Sequence, residues 1–310
     1  MEATGNVMRD DFLADTRPHQ PVRPRGGCRG WVAAALLALV MLPVFLCGLG
    51  LVIYLVFLPQ QMDILILGLD ARDGEGFVSR TDSVMLLGIS PARLRVSLLS
   101  IPRDVFIQTP GYGLQRINTI NVLGERQAPG GGPELLAESL AASLGVRPER
   151  YARLNFGAFV ELVDAVGGVT VDVPRTLVDN YYPTEDGGVT TVRFESGLQH
   201  MDGERALIYA RTRYADDDYR RAERQQQIVS ALAGKLVNPA YWPAALAVLN
   251  RAVDTDLTFG DLLVLAPPVV LSGGRFDQLV IDRDYLLGTG EGYAVLNYEK
   301  IAPWLQGRFE

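Results

Sequence analysis

The longest uninterrupted apolar stretch runs from Trp31 to Pro59, WVAAALLALVMLPVFLCGLGLVIYLVFLP, without one charged side chain. At about 1.5 Å per residue, a helix of that length exceeds a hydrocarbon core of ~30 Å. It is too long for the apolar region of a cleaved signal, and no clear small-residue cleavage site follows. The pattern predicts one transmembrane helix over 31–58, with Pro43 as a point of bending. Beyond it the pattern changes to short apolar runs alternating with amphipathic stretches. MDILILGLD (Met62–Asp70), DSVMLLGIS (Asp82–Ser90) and RVSLLSIP (Arg95–Pro102) read as strands. The last two form a hairpin across the short SPAR turn. Helical spacing returns over Pro133–Val146, which opens on Pro and stops at Gly, and over Phe156–Gly168. Val169–Val173 is a strand, and 176–198 is a polar, Gly-rich loop or small hairpin. Helices follow over Gly203–Arg211 and Asp218–Val237, the latter with Asp218 as N-cap, then in WPAALAVLNRAV and FGDLLVLAPPVV. A late strand lies at Asp277–Asp282. Strands and helices interleave throughout 60–310, which predicts a single α/β domain.

Charge sets the orientation. Arg17, Arg23, Arg25 and Arg29 precede the apolar run, no acid lies between Asp15 and its start, and the first charge after it is Asp63. The positive-inside rule therefore puts 1–30, a Pro/Gly/Arg-rich tail expected to be disordered, in the cytoplasm and 60–310 outside. The formal net charge of -7 gives no global signature of nucleic-acid binding. Cys28 and Cys47 are the only cysteines, so the outer segment contains no disulfide; Cys28 is a free thiol or an acylation site. With His200 as its one histidine, the outer segment has no His-based zinc site and no Cys nucleophile, and it carries neither a P-loop nor GxGxxG. Carboxylates, arginines, hydroxyls and a hard metal ion are what remain.

One segment is dense in such groups. YARTRYADDDYRRAERQQQ (Tyr209–Gln227) holds Arg211, Arg213, Arg220, Arg221 and Arg224 beside Asp216, Asp217 and Asp218. Asp218, Arg221 and Gln225 share a helix face by their spacing, with Arg224 offset. Arg211 and Arg213, two apart, point the same way if the chain there is extended. Two readings stand: a local ion-pair network, or a guanidinium site for a phosphate or pyrophosphate, which such forks bind bidentately. Asp70 ends one strand and Asp82 begins another. If those strands are neighbours, the two carboxylates meet at one sheet edge and suit Mg²⁺, which takes one or two carboxylates plus phosphate oxygens. Arg103, in SIPRD, follows a third strand.

The run LGLDARDGEGFVSRTDSVMLLGISPARLRVSLLSIPRD, then RIN, then LVDAVGGVTVDV, then GLQHMDGERALIYARTRYADDDYRRAERQQQIV resembles the LytR-CpsA-Psr family. The resemblance spans about Met62–Val237 and includes the single N-terminal membrane helix. It implies a central mixed sheet flanked by helices and a long apolar pocket for a polyprenyl chain. It implies a membrane-anchored phosphotransferase that moves a glycopolymer phosphate from a polyprenyl-pyrophosphate carrier to peptidoglycan or a similar wall acceptor. By motif, Asp70 and Asp82 would hold Mg²⁺ (or Mn²⁺). Arg80, Arg103, Arg116, Arg211, Arg213, Arg221 and Gln225 would bind the pyrophosphate, with Arg116 standing where the family often has lysine. Asp82, Arg103 and Asp218 would serve catalysis, Asp218 as a candidate base. The apolar helices LLAESLAASL and AFVELVDAV are candidate walls of the lipid pocket. Hydrolysis of the same lipid diphosphate, lipid binding without turnover, and a non-catalytic regulator or attenuator are the alternatives.

Overall fold

The computed structural model describes residues 29–56, 60–71, 76–184, 187–213, 218–288 and 292–309. The chain divides into two units, Met1–Val56 and Phe57–Glu310. The first contains helix α1, Arg29–Val56, with Pro43 inside it. Its stretch Trp31–Gly50 is long and apolar enough to cross a membrane. Residues 1–28 of the predicted tail and 57–58 of the predicted span lie outside the described residues, and Arg29 and Gly30, assigned to the tail from sequence, open α1.

The second unit begins with strands β1 (Met62–Leu69), β2 (Thr81–Ser90) and β3 (Arg95–Ile101). A short hairpin, β4 (Phe106–Thr109) and β5 (Gly113–Arg116), leads into helices α2 (Ile117–Gln127) and α3 (Gly131–Leu144). There follow β6 (Arg150–Leu154), α4 (Phe156–Ala165), β7 (Val169–Val173), β8 (Leu177–Pro183), β9 (Val189–Phe194) and β10 (Gly197–Met201). Helices α5 (Gly203–Arg211), α6 (Asp218–Leu236) and α7 (Trp242–Ala252) come next. The chain continues through β11 (Asp254–Thr255), α8 (Phe259–Leu271), β12 (Asp277–Val280), β13 (Leu286–Gly288), β14 (Ala294–Leu296) and α9 (Tyr298–Leu305).

A mixed six-stranded sheet, in the order β11-β6-β1-β2-β3-β12, is the centre of the fold. β1 pairs antiparallel with β2 and parallel with β6. Its position explains its composition: a central strand covered on both faces reads as a continuous apolar run. Leu65, Leu67, Val84, Leu86, Leu99 and Ile101 face one side and pack with α2, α3 and α9. Ile64, Ile89 and Val96 face the other and meet Leu265 of α8. A second apolar cluster gathers α4, β7, the β8–β9 hairpin, α5 and α6 around Phe194 and Tyr209.

Element types follow the sequence reading, with three differences of substance. Helix α3 does not wall the cavity: Leu135, Leu136, Leu140 and Leu144 are spent on the core cluster behind the sheet. It also starts two residues before Pro133. There the chain approaches α2 so closely that a Cβ on Gly132 would lie 2.2 Å from Asn121 Oδ1. The β4–β5 hairpin, α2, β6, β10, β11, β13, β14 and α9 carried too short or too mixed a pattern to be read as elements.

Candidate active site

The site begins at a β-bulge. Pairing between β1 and β2 slips between Gly68 and Leu69, so Leu69 faces Thr81. Bulges bend a strand and re-aim its next residues. Asp70 emerges there, its backbone N–H donating to Arg80 O at 2.9 Å, while Ser79 Oγ donates to Asp70 O at 2.7 Å. The loop between β1 and β2 is thus closed at its neck, and the neck is flanked by Asp70 and Asp82, both of which line one cavity.

The loop is also anchored from below. Asn121 Nδ2 donates to Phe77 O at 2.9 Å and to Ser79 O at 2.8 Å. Its Oδ1 accepts from Arg153 at 3.1 Å. Arg153 is 2% exposed and pairs with Glu125 at 2.6 Å and Asp254 at 2.7 Å, with the Phe77 ring 4.3 Å from its guanidinium carbon. Burial pushes the Glu125 carboxyl up, but the hydrogen bond from Arg153 and those from Gly130 and Gly132 N–H outweigh it and leave the group below its ordinary value. No side chain of this network was a candidate from sequence: Asn121 and Glu125 stand four apart on α2, but the Arg153 that joins them to Asp254 comes from β6, distant in the chain.

The arginines converge on the same neck. Arg103, just past β3, donates to Asp82 Oδ1 at 2.6 Å and lies 3.6 Å from Asp104. Arg213 lies 3.8 Å from the same Asp82 oxygen. Arg211, Arg213, Arg221 and Gln225 line the cavity with Asp70 and Asp82. Arg211 and Arg213 are not on extended chain. Arg211 closes α5, with its guanidinium 4.1 Å from the Phe156 ring, and Arg213 lies in the coil beyond. That coil is fixed by Asp179, a buried carboxylate whose oxygens accept from Arg213 N–H at 3.1 Å and Tyr181 N–H at 2.9 Å. Asp179 was missed because it sits in a polar stretch where an aspartate carries no signal. Next to it, burial pushes the Tyr182 phenol up against the opposing pull of Arg211.

The five arginines of the charged segment therefore divide. Arg211, Arg213 and Arg221 reach the cavity. Arg224 turns inward and donates to Tyr209 O at 3.1 Å and Thr212 O at 2.5 Å, fastening the end of α5. Arg220 pairs with Glu223 at 2.8 Å on the surface. Asp218 is the first residue of α6; its side chain and 214–217 lie outside the described residues. Arg80 and Arg116 do not line the cavity. Arg80 meets Asp70 through its backbone carbonyl, and Arg116 sits one ion pair further out, 3.5 Å from Asp104.

The cavity has a volume of about 530 Å³. Away from its charged mouth it is lined by Ile66 and Met85 of the sheet, Phe159 and Leu162 of α4, Leu232 of α6 and Leu249 of α7. Helix α4 is thus a cavity wall, as expected.

An α/β domain with a cationic mouth on an apolar cavity is the class that fold and site define. The chain belongs to the LytR_cpsA_psr family, whose model matches residues 59–277. It is 32% identical over 247 residues to the polyisoprenyl-teichoic acid–peptidoglycan teichoic acid transferase TagU of Oceanobacillus iheyensis, covering 78% of this chain and 73% of that protein. It is 31% identical over 203 residues to the regulatory protein MsrR of Staphylococcus aureus, covering 64% of this chain and 57% of that one. The crystal structure of B. subtilis TagV superposes with a TM-score of 0.64 at 26% identity, over 80% of this chain and 97% of that chain.

Proposed function

We propose that the protein is a single-pass membrane-anchored phosphotransferase. It takes a glycopolymer phosphate from a polyprenyl-pyrophosphate carrier and places it on peptidoglycan or a similar wall acceptor. The N-terminus is cytoplasmic and residues 60–310 lie outside. One observation carries the reading: a cluster of arginines and carboxylates opens directly onto an apolar cavity, matching an anionic head joined to a hydrocarbon tail. The transferase name of the TagU relative supports it.

In this reading Arg103, Arg211, Arg213, Arg221 and Gln225 bind the diphosphate, Arg80 adds positive field at the rim, and Arg116, neutralised by Asp104, stands one step further out. Phosphoryl transfer depends on positioning and charge neutralisation more than on covalent chemistry. The acceptor hydroxyl attacks the glycan-bearing phosphorus, a new P–O bond forms, the bridging P–O bond breaks, and polyprenyl phosphate leaves. The arginine side chains offset the charge that builds on the departing phosphate. A carboxylate, with Asp218 the first candidate, takes the hydroxyl proton. Two carboxylates at the neck, beside phosphate oxygens, are a hard-oxygen donor set that fits Mg²⁺ or Mn²⁺, and Asp70 and Asp82 would hold it. Such an ion supplies further charge neutralisation at the diphosphate.

The test is full-length protein in detergent micelles with a polyprenyl-pyrophosphate oligosaccharide and Mg²⁺, with and without peptidoglycan fragments. Wild-type transfer of the glycan through a phosphodiester, absent in Arg103→Ala, supports the reading. Polyprenyl phosphate released only as a product of water attack makes the protein a hydrolase. Lipid bound without turnover overturns the enzyme.

A further inference from the structure

The surface beside the mouth carries a cluster of aromatic and polar side chains. Strand β4 leaves the site directly after Arg103 and Asp104. Its alternate residues Ile107 and Thr109 are buried, while Gln108 is exposed and Phe106 half-buried. Across the hairpin Phe106 faces Arg116 and Gln108 faces Leu114. Strand β14 adds to the other edge of β4, pairing Val295 with Phe106. It brings Tyr293 with it, whose ring lies 4.5 Å from that of Phe106 with 33° between the planes. The Arg116 guanidinium carbon is 5.3 Å from the Phe106 ring centre. The result is a ledge of two aromatic rings, a guanidinium and an amide.

The ledge is continuous with the proposed reaction centre. Asp82 holds Arg103, Arg103 lies 3.6 Å from Asp104, and Asp104 lies 3.5 Å from Arg116. Strands β13 and β14 fall after residue 277, outside the segment that the family model matches. Tyr293 is therefore supplied by this chain's own C-terminal part, and it is 38% exposed.

We infer that this ledge is the acceptor subsite and that its ligand is a neutral glycan chain. The inference rests on the transferase reading. An aromatic face, electron-rich over the ring, suits the apolar C–H face of a pyranose. Gln108 and the Asp104–Arg116 pair offer both donors and acceptors to sugar hydroxyls and acetamido groups. The ion pair balances to zero charge, which favours a neutral polyol over a polyanion. Tyr293 stacks on the half-buried Phe106, so the face open to a sugar is the outer face of Tyr293, and a sugar lying there would sit beside β4, with the strand directing it toward Arg103.

The test uses full-length protein in micelles and a β-1,4-linked N-acetylglucosamine tetramer as probe, with binding followed by calorimetry. Wild type is expected to bind the tetramer, Tyr293→Ala at least tenfold more weakly, Tyr293→Phe within twofold of wild type, and Gln108→Ala severalfold more weakly. In the transfer assay Tyr293→Ala should raise the acceptor KM at least tenfold while leaving the donor KM in place. Absent transfer by wild type would defeat the proposed function, whereas the tetramer binding reports on the ledge independently. No tetramer binding by wild type at millimolar concentration, or equal binding by Tyr293→Ala, overturns the inference.

Discussion

Replacing Arg153 by Met tests the anchoring network at its centre. The substitution keeps most of the apolar stem and removes the guanidinium. Asp254, whose side chain is 27% exposed, can turn to water; Glu125, at 5%, cannot. Gly130 and Gly132 N–H still donate to Glu125, at 3.1 and 3.0 Å, so part of its charge stays satisfied. Removing one partner of a buried pair costs about 3–5 kcal/mol, mostly from the charge left behind. For a domain of this size that is a fall in Tm of roughly 6–20 °C. If the orphaned charge is the cause, adding Glu125→Gln to Arg153→Met should recover about 1–2 kcal/mol.

The pH dependence has a definite sign. In the native protein the Glu125 pKa is depressed, so its contribution is present above the unfolded pKa and is lost as pH falls through the folded value. Without Arg153 the largest remaining influence is burial, which raises the pKa. The variant's deficit should then shrink as pH falls from neutral toward 5, because protonation removes the buried charge. Thermal unfolding of full-length protein in micelles, followed by near-ultraviolet circular dichroism at pH 7.5 and pH 5, measures both effects. A deficit under about 1 kcal/mol, or a double variant no more stable than the single, would refute this account of the network.

Three further outcomes follow from the geometry. Arg103→Ala removes the fork that holds Asp82, and turnover should fall by about 10²–10³, the usual cost of one preorganised donor at a developing charge, with protein stability nearly unchanged; an equal loss of Tm would point to a structural role instead. Gly132→Ala places a methyl 2.2 Å from Asn121 Oδ1 and should cost about 1–3 kcal/mol in denaturant titration, whereas Gly130→Ala meets no atom within 4 Å and suffers only from its positive φ. Leu162→Trp fills the apolar cavity and should raise KM about tenfold for a long-chain polyprenyl donor but not for one of two or three isoprene units, since about two buried methylenes are worth that factor; equal effects on both would place the chain elsewhere.

What the sequence made legible and what it did not divide along a physical line. Periodicity is a local property, and it located β1, β2, β3, α4, β7 and α5 because each buries a face its own residues define. The neck of the site was legible for a related reason. An antiparallel β1–β2 pair must return Asp82 toward Asp70, so both acids come to one cavity once the strands are neighbours. The fate of each arginine was not local. Arg221 and Arg224 stand three apart on one helix, and both are buried, yet one lines the cavity and the other is consumed by the carbonyls of Tyr209 and Thr212. Nothing in RRAER distinguishes them, because the deciding partner is the C-terminal end of α5, whose last carbonyls need donors. The segment therefore serves two places at once, an internal network through Arg224 and the cavity mouth through Arg211, Arg213 and Arg221. Arg224 holds the carbonyls of Tyr209 and Thr212 and Asp179 holds the N–H of Arg213, and these bonds set the end of α5 from which Arg211 and Arg213 reach the mouth that Arg221 also lines.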